Sequence, residues 1–222
     1  MPAAGLRQPI AIVPAGVELP GSTTRLARPE DERHALFLSR VHPIKGLVPF
    51  IEAWHALQPQ GWRVTIAGPD EGGHRAELER LLGQRGLADR FTFTGEADHY
   101  KKSELFRSAD LFVLPTHTEN FGIVVAEALS YGVPVLTTRG APWAVLEEIG
   151  AGWWVPPGVE GLTAGLRAAL AASDDQRRHM GDIGRHYVEQ ALSWPGTARR
   201  SVEAYEWLLG LRTVRPGHVQ LD

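Results

Sequence analysis

Residues 109–138 read Ala-Asp-Leu-Phe-Val-Leu-Pro-Thr-His-Thr-Glu-Asn-Phe-Gly-Ile-Val-Val-Ala-Glu-Ala-Leu-Ser-Tyr-Gly-Val-Pro-Val-Leu-Thr-Thr. The runs 111–114 and 133–137 are mostly apolar without alternation, as strands are when both faces of a parallel sheet are covered. Residues 122–131 between them have the composition of a helix that stops at Gly132. The stretch therefore predicts a strand, a helix and a second strand, the repeating unit of an α/β fold.

The same rhythm continues on both sides of this stretch. Further strand-like runs lie at 10–13, 35–39, 63–67, 91–94 and 153–155, and helix-like segments at 46–57, 74–86, 100–108 and 141–149. Short connections between alternating strands and helices predict a doubly wound, Rossmann-like parallel sheet.

Helices alone are predicted after about residue 159. They cover 161–172 and 174–190, and Ser193-Trp194-Pro195 opens the last one. We expect four regions: a hinge-like strand segment (1–20), a Rossmann-like domain (21–192), a returning C-terminal helix (193–214) and a frayed tail (215–222).

Composition excludes several classes of protein. The 222 residues carry 23 Lys and Arg against 26 Asp and Glu, a net charge of −3, which argues against a nucleic-acid partner. Without cysteine, neither a disulfide framework nor a cysteine metal site can form. The apolar runs are too short to span a bilayer, and the first residues lack a signal-peptide core. These features predict a cytoplasmic protein that is at most peripheral to the inner membrane face.

Arg40 and Lys45 follow the strand 35–39 and precede a helix, which places them at the ligand-binding edge of such a sheet. A guanidinium fork, an ammonium and a helix N-terminus together suit a diphosphate. The alternative is that both are solvated surface cations. Neither a Walker pattern nor a Gly-x-Gly-x-x-Gly fingerprint is present, so a nucleotide P-loop and a Rossmann dehydrogenase are both disfavoured.

Two further strand ends are candidate ligand contacts. Gly68 and Pro69 begin a glycine-rich turn where a ligand could approach the backbone closely. Gly95 and Glu96 end the strand 91–94 and could border a base or a sugar. Each could equally be an ordinary turn.

The strongest candidates are Glu119 and Glu127, eight positions apart around an apolar run. A carboxylate on an apolar helix is costly unless it is bonded, and one carboxylate can accept from both hydroxyls of a diol. The alternative for Glu127 is an arginine partner or solvent. Glu119 lies in the preceding loop, and the N–H groups of Asn120, Phe121, Gly122 and Ile123 are expected at the helix start.

The other polar residues predict little. The histidines, including His117 in the motif loop, show no metal-ligand spacing, and no Ser-His-Asp arrangement is apparent. Trp153 and Trp154 are interpreted as packing residues.

Together these motifs resemble the C-terminal domain of a glycosyltransferase of family 4 (group 1), a retaining GT-B enzyme. The matching segments are Val13–Glu18, Arg40 with Lys45, Glu119-x7-Glu127, Gly140–Trp143, Gly152–Val155 and the Ser193-Trp194 helix. The resemblance covers roughly residues 9–211, and Ala15 stands where the family usually has asparagine.

The resemblance implies a role for each motif. Glu127 would hold the ribose diol of a UDP-, GDP- or ADP-linked sugar, and Glu119 the hydroxyls of the transferred sugar. Arg40, Lys45 and the amides near Phe121 would neutralise the departing diphosphate, so that no cofactor or metal ion is required. The acceptor would be a saccharide or a lipid-linked acceptor. The Gly-x-Pro-Trp and Gly-Trp-Trp-Val details resemble enzymes of bacterial surface polysaccharide synthesis.

The chain begins at the hinge of this family, so the N-terminal domain that carries most of the acceptor site is expected to be absent. Half a cleft should bind donor but transfer weakly or not at all, because positioning the acceptor supplies much of the rate. A separate N-terminal domain, or self-association through the exposed cleft face, would then complete the site. Two alternatives stay open: a non-catalytic nucleotide-sugar-binding module and a GT-B nucleotide-sugar epimerase.

Overall fold

The computed structural model describes residues 8–27, 29 and 32–221. Its strands are β1 (Ile10–Ala11), β2 (Arg33–Leu38), β3 (Trp62–Ala67), β4 (Phe91–Gly95), β5 (Leu111–Leu114), β6 (Val135–Thr138), β7 (Gly152–Val155) and β8 (Val219–Gln220). Strands β2 to β7 form one sheet in the order β4-β3-β2-β5-β6-β7, and every neighbouring pair is parallel. The predicted doubly wound α/β fold is confirmed.

Helices cover both faces of this sheet. They are α1 (Leu47–Leu57), α2 (His74–Arg85), α3 (His99–Ser108), α4 (Ile123–Ser130), α5 (Val145–Ile149), α6 (Val159–Ala171), α7 (Asp174–Ala191) and α8 (Trp194–Leu208). Helix α1 packs against α2 and α6, whereas α4 packs against α7. Right-handed crossovers place α1 and α4 on opposite faces, because the chain moves outward in opposite directions from β2 and from β5.

The strand order reverses between β2 and β5, which lie side by side at the centre of the sheet. Strand β5 is buried throughout and β2 is buried over residues 35–37, as their apolar runs predict. In an open α/β sheet, ligands bind in the crevice outside the carboxyl ends of the strands at this switch point. The loops that follow β2 and β5 are therefore the first place to look for a functional site.

The two ends of the described chain differ from expectation. Segment 215–222 is not a frayed tail as far as it is described: β8 pairs antiparallel with β1, and Val219 is buried. The run 10–13 accordingly joins this small ribbon and not the central sheet. A two-residue strand carries too little pattern to reveal its partner. The predicted regions also include residues 1–7, 28, 30, 31 and 222, which lie outside the described part.

Helix α5 starts at Val145, later than the predicted start at 141. Pro142 disfavours helical backbone at Ala141. Large apolar side chains are exposed along α8 and just after it: Trp194, Val202, Tyr205, Leu208, Leu209 and Leu211. None of the described helices combines the length and apolar character needed to cross a bilayer. Self-association through an apolar face stays a prediction.

Candidate functional site

The loops after β2 and β5 are bonded to each other at the switch point. After β2, a single 3₁₀ turn spans Pro43–Lys45, and the His42 ring accepts a hydrogen bond from the Ile44 N–H at 3.1 Å. The Ile44 carbonyl in turn accepts from the His117 N–H at 2.8 Å. The backbone of His117 thus joins the two loops, while its side chain is exposed.

Lys45 and Glu119 meet where these loops touch. The Lys45 Nζ lies 2.5 Å from Glu119 Oε2, and the Lys45 side chain is only 8% exposed. The Glu119 N–H donates to the Gly140 carbonyl at 2.8 Å, so the loop after β6 fixes its backbone. A buried ammonium is costly without a partner, and the carboxylate supplies one. Two residues that were predicted only to share one edge of the sheet are therefore in direct contact.

Arg40 has a different partner, Glu71. Its Nη1 is 2.6 Å from Glu71 Oε2, and both side chains are about half exposed, at 56% and 46%. Glu71 follows Gly68 and Pro69 in the loop after β3, and its N–H donates to the Val41 carbonyl at 3.1 Å. Arg40 is thus on the expected edge of the sheet, held by a carboxylate that the sequence did not identify as its partner.

Gly68 packs against protein backbone. At φ +138°, a Cβ on Gly68 would lie 1.9 Å from the Ser39 carbonyl oxygen. The loop after β3 therefore needs glycine to pass the loop after β2, which accounts for Gly68 without a ligand. Pro69 belongs to the same contact, because its carbonyl accepts from the Val41 N–H at 2.8 Å. Both residues lie at the expected ligand-binding edge of the sheet, but their backbone contacts are those of an ordinary turn.

The start of α4 is built as the sequence predicts. Gly122 has φ +74° and precedes Ile123, the first helical residue, and no described side chain caps the helix. The Trp143 indole N–H donates to the Phe121 carbonyl at 2.5 Å, and the two rings lie 5.3 Å apart. Asn120 is exposed beside them. An uncapped helix start leaves backbone N–H groups that can bind an anion.

Glu127 lies one turn further along α4 and has a partner that sequence reasoning missed. The Lys102 Nζ is 2.6 Å from Glu127 Oε1, whereas Glu127 Oε2 is buried and has no hydrogen-bond partner among the described residues. The partner of Glu127 is thus a lysine of α3, and neither of the alternatives expected from the sequence, an arginine or solvent. The one available signal was that Lys102 is among only three lysines in the chain.

A pocket of about 180 Å³ opens beside this pair, and its walls include Glu18, His99, Lys102, Ser103, Glu127 and Tyr131. Helix α3 is positioned there by its cap, because the Asp98 carboxylate accepts from the Lys101 N–H at 2.8 Å. Gly95 and Glu96 precede this helix: a Cβ on Gly95 would meet no described atom within 4 Å, and Glu96 is exposed. The end of β4 is therefore open to a ligand.

Among the described residues, no group of three or more His, Asp or Glu side chains could hold a metal ion. Trp153 and Trp154 pack against the core, as predicted, and Trp154 donates its indole N–H to the Ala141 carbonyl at 2.8 Å.

Comparison with known proteins identifies the family. Residues 23–187 match the model of the glycosyl transferases group 1 family. A D-inositol 3-phosphate glycosyltransferase of Arthrobacter sp. (strain FB24) is 30% identical over 218 residues, which cover 88% of this chain and 49% of that protein. The chain therefore spans about half the length of this curated relative.

Solved structures agree on the fold. The sucrose-phosphate synthase of Thermosynechococcus elongatus superposes with a TM-score of 0.76 at 25% identity, over 90% of this chain and 53% of that one. The HepE protein of Anabaena, solved in complex with UDP and glucose, superposes with a TM-score of 0.69 at 21% identity, over 81% of this chain and 49% of the HepE chain. The family match extends over most of the chain and includes strands β2 to β7, the Lys45–Glu119 pair and Glu127, so this chain belongs to the group 1 glycosyltransferase family.

Proposed function

We propose that the chain binds the nucleotide-diphosphate-sugar donor of a retaining hexosyltransferase. The observation that carries this proposal is the contact of Lys45 with Glu119 at the switch point, next to the uncapped start of α4. An ammonium and a helix N-terminus suit the negative charge of a diphosphate, while a carboxylate beside them suits sugar hydroxyls.

In this proposal the donor lies along the carboxyl edge of the sheet. The diphosphate contacts Lys45, Arg40 and the amides near Phe121, the transferred sugar contacts Glu119, and the ribose contacts Glu127. Arg40 must first exchange Glu71 for a phosphate oxygen. The nucleoside then fills the pocket between Lys102 and Tyr131. UDP is the first nucleotide to test, because HepE was solved with it.

The chemistry breaks the bond between the anomeric carbon and the phosphate oxygen and forms a bond from that carbon to an acceptor oxygen. The acceptor proton passes to the leaving diphosphate, and Lys45 offsets the charge that develops there. Glu119 positions the sugar. We infer attack from the face of the departing phosphate, since the family resemblance implies retention, and no metal ion is assigned to any step.

The acceptor has two candidate classes. Gly140–Trp143 and Gly152–Val155 favour a saccharide or lipid-linked acceptor of bacterial surface polysaccharide synthesis. The name of the Arthrobacter relative favours a phosphorylated cyclitol. Incubating the chain with radiolabelled donor and each acceptor would distinguish them, because only the acceptor that fits the site becomes labelled. A non-catalytic binding module predicts no transfer to either, and an epimerase predicts a changed sugar on the nucleotide.

Calorimetric titration with UDP, GDP and ADP tests donor binding. At least one should bind, and Glu127→Gln should weaken it roughly tenfold or more, because a hydrogen bond to a charged group is lost at a partly buried position. Glu104→Gln is the matched control, since Glu104 is an exposed carboxylate of α3 paired with Lys101. Absence of binding by all three nucleotides, or an unchanged affinity in Glu127→Gln, would refute the proposal.

A further inference from the structure

Glu127 is held from one side by Lys102. The Lys102 Nζ donates to Glu127 Oε1 at 2.6 Å. Lys102 lies on α3, which precedes β5 in the chain, and Glu127 lies on α4, which follows it. Both side chains are partly buried, at 30% and 24% exposure. An ion pair in this environment is less screened than a surface pair, so it can fix the rotamer of the carboxylate.

The other oxygen of Glu127 is unusual. Glu127 Oε2 is buried and has no hydrogen-bond partner among the described residues. Buried acceptors are nearly always bonded, so a lone one calls for a donor from outside the protein. The pocket lined by Glu127 and Lys102 lies beside this carboxylate.

We propose that Lys102 is a positioning residue: by occupying Oε1, it directs Oε2 of Glu127 toward a ribose hydroxyl of the donor nucleotide. The inference rests on the proposed donor function. Without the ammonium, both oxygens would compete for water and the carboxylate could rotate, which weakens a directed bond to the sugar. Because Lys102 also lines the pocket, the dideoxy nucleotide and the Glu127→Gln background separate this positioning role from a direct contact with the ligand.

The neighbouring Lys101 provides a matched control. It lies on the same helix and pairs with Glu104 at 3.3 Å, but its side chain is half exposed and does not line the pocket. The two lysines differ in the partner they hold, while their charge, chain position and helix are nearly the same. Lys101→Met therefore controls for the loss of a positive charge on α3.

The test combines variants with a ligand that lacks the ribose hydroxyls. Lys102→Met, Lys101→Met and Glu127→Gln are titrated with UDP, GDP or ADP, whichever binds the wild type most tightly, and with its 2′,3′-dideoxy form. We expect Lys102→Met to weaken the parent nucleotide about five- to tenfold and the dideoxy form less than about twofold. Lys101→Met should change neither, and Lys102→Met should add nothing in the Glu127→Gln background. Thermal unfolding of each variant checks that it is folded.

The other results are decisive as well. If Lys102→Met weakens the parent and dideoxy nucleotides equally, Lys102 acts on the phosphates or on the fold, and the inference is wrong. If Glu127→Gln weakens binding and Lys102→Met does not, the inference is wrong while the donor proposal stands. If Glu127→Gln has no effect, or no nucleotide binds, the donor proposal fails and the inference fails with it.

Discussion

A Cβ placed on Gly46 would lie 2.0 Å from the carbonyl oxygen of Pro115. Gly46 also has φ +70°, where side chains other than glycine are strained. It ends the 3₁₀ turn that carries Lys45, and Pro115 follows β5 in the loop that carries Glu119. The close approach of these two backbones therefore sets the distance between the ammonium and the carboxylate.

Gly46→Ala should separate the two loops and so weaken both the fold and the site. The left-handed backbone costs about 1–2 kcal/mol and the clash adds to it, for a total of about 3 kcal/mol or more. Gly72→Ala carries the backbone cost without the clash, since Gly72 has φ +71° but a Cβ there meets no described atom within 4 Å. The difference between the two variants therefore measures the clash. Urea denaturation would compare the two. Equal destabilisation would show that the Pro115 contact is unimportant.

Lys45→Met should weaken binding of a nucleoside diphosphate about ten- to a hundredfold, because a charge-assisted contact to phosphate is removed. Binding of the bare nucleoside should change less than about threefold, since it carries no phosphate for the ammonium to contact. Calorimetry with UDP and with uridine measures both, and Lys101→Met is the surface control. A comparable loss for the nucleoside would place Lys45 elsewhere than at the diphosphate.

Much of this site follows from the sequence. Continuous apolar runs identify the central strands, and parallel strands bring their carboxyl ends to one edge, so Lys45 and Glu119 could be placed together in advance. The contacts among the polar side chains could not be predicted from the sequence. Lys102 reaches Glu127 across 25 residues, and Glu71 reaches Arg40 across 31, and neither spacing has a periodic signature. Which helix face meets which loop depends on tertiary packing.

The glycines at strand ends show the same limit of prediction from sequence. The sequence marks Gly68 and Gly95 alike, as glycines at strand ends. In the structure Gly68 lies against the backbone of Ser39, whereas Gly95 faces open space. The difference arises because β3 is flanked by β2 while β4 lies at the edge of the sheet. Strand order therefore decides the role of each glycine, and single-sequence patterns predict that order poorly.

Glu71→Gln should strengthen diphosphate binding, because Arg40 would no longer have to exchange a carboxylate for a phosphate. An exposed ion pair contributes up to about 1 kcal/mol, so the gain should be about two- to fivefold at low salt and should fade as salt rises. Glu79→Gln is the control, since Glu79 forms a similarly exposed pair with Arg75 at 2.8 Å. Weaker binding by Glu71→Gln would mean that Glu71 supports the site.

Asp174 at the start of α7 ties this helix to β2. Arg33 donates from Nε and Nη2 to the two carboxylate oxygens at 2.9 and 3.0 Å, and the buried Arg177 donates to one of them as well. The Arg33 guanidinium is the main cause that holds the pKa of the Asp174 carboxyl well below its ordinary value of 3.8; burial opposes the shift and Arg177 adds to it. A forked pair of this geometry is stronger than a single contact.

Asp174→Asn should therefore destabilise the protein at neutral pH and make its stability less sensitive to acid. Because the folded pKa is depressed, the stabilisation is fully present above the unfolded pKa and is lost as pH falls below about 4 toward the folded pKa. Asp174 is partly exposed, so solvent screening limits the effect to about 1 kcal/mol. Urea denaturation at pH 7 and pH 3 measures the difference. Asp175→Asn, at a neighbouring exposed carboxylate, is the control; an equal loss in Asp174→Asn at both pH values would contradict the assignment.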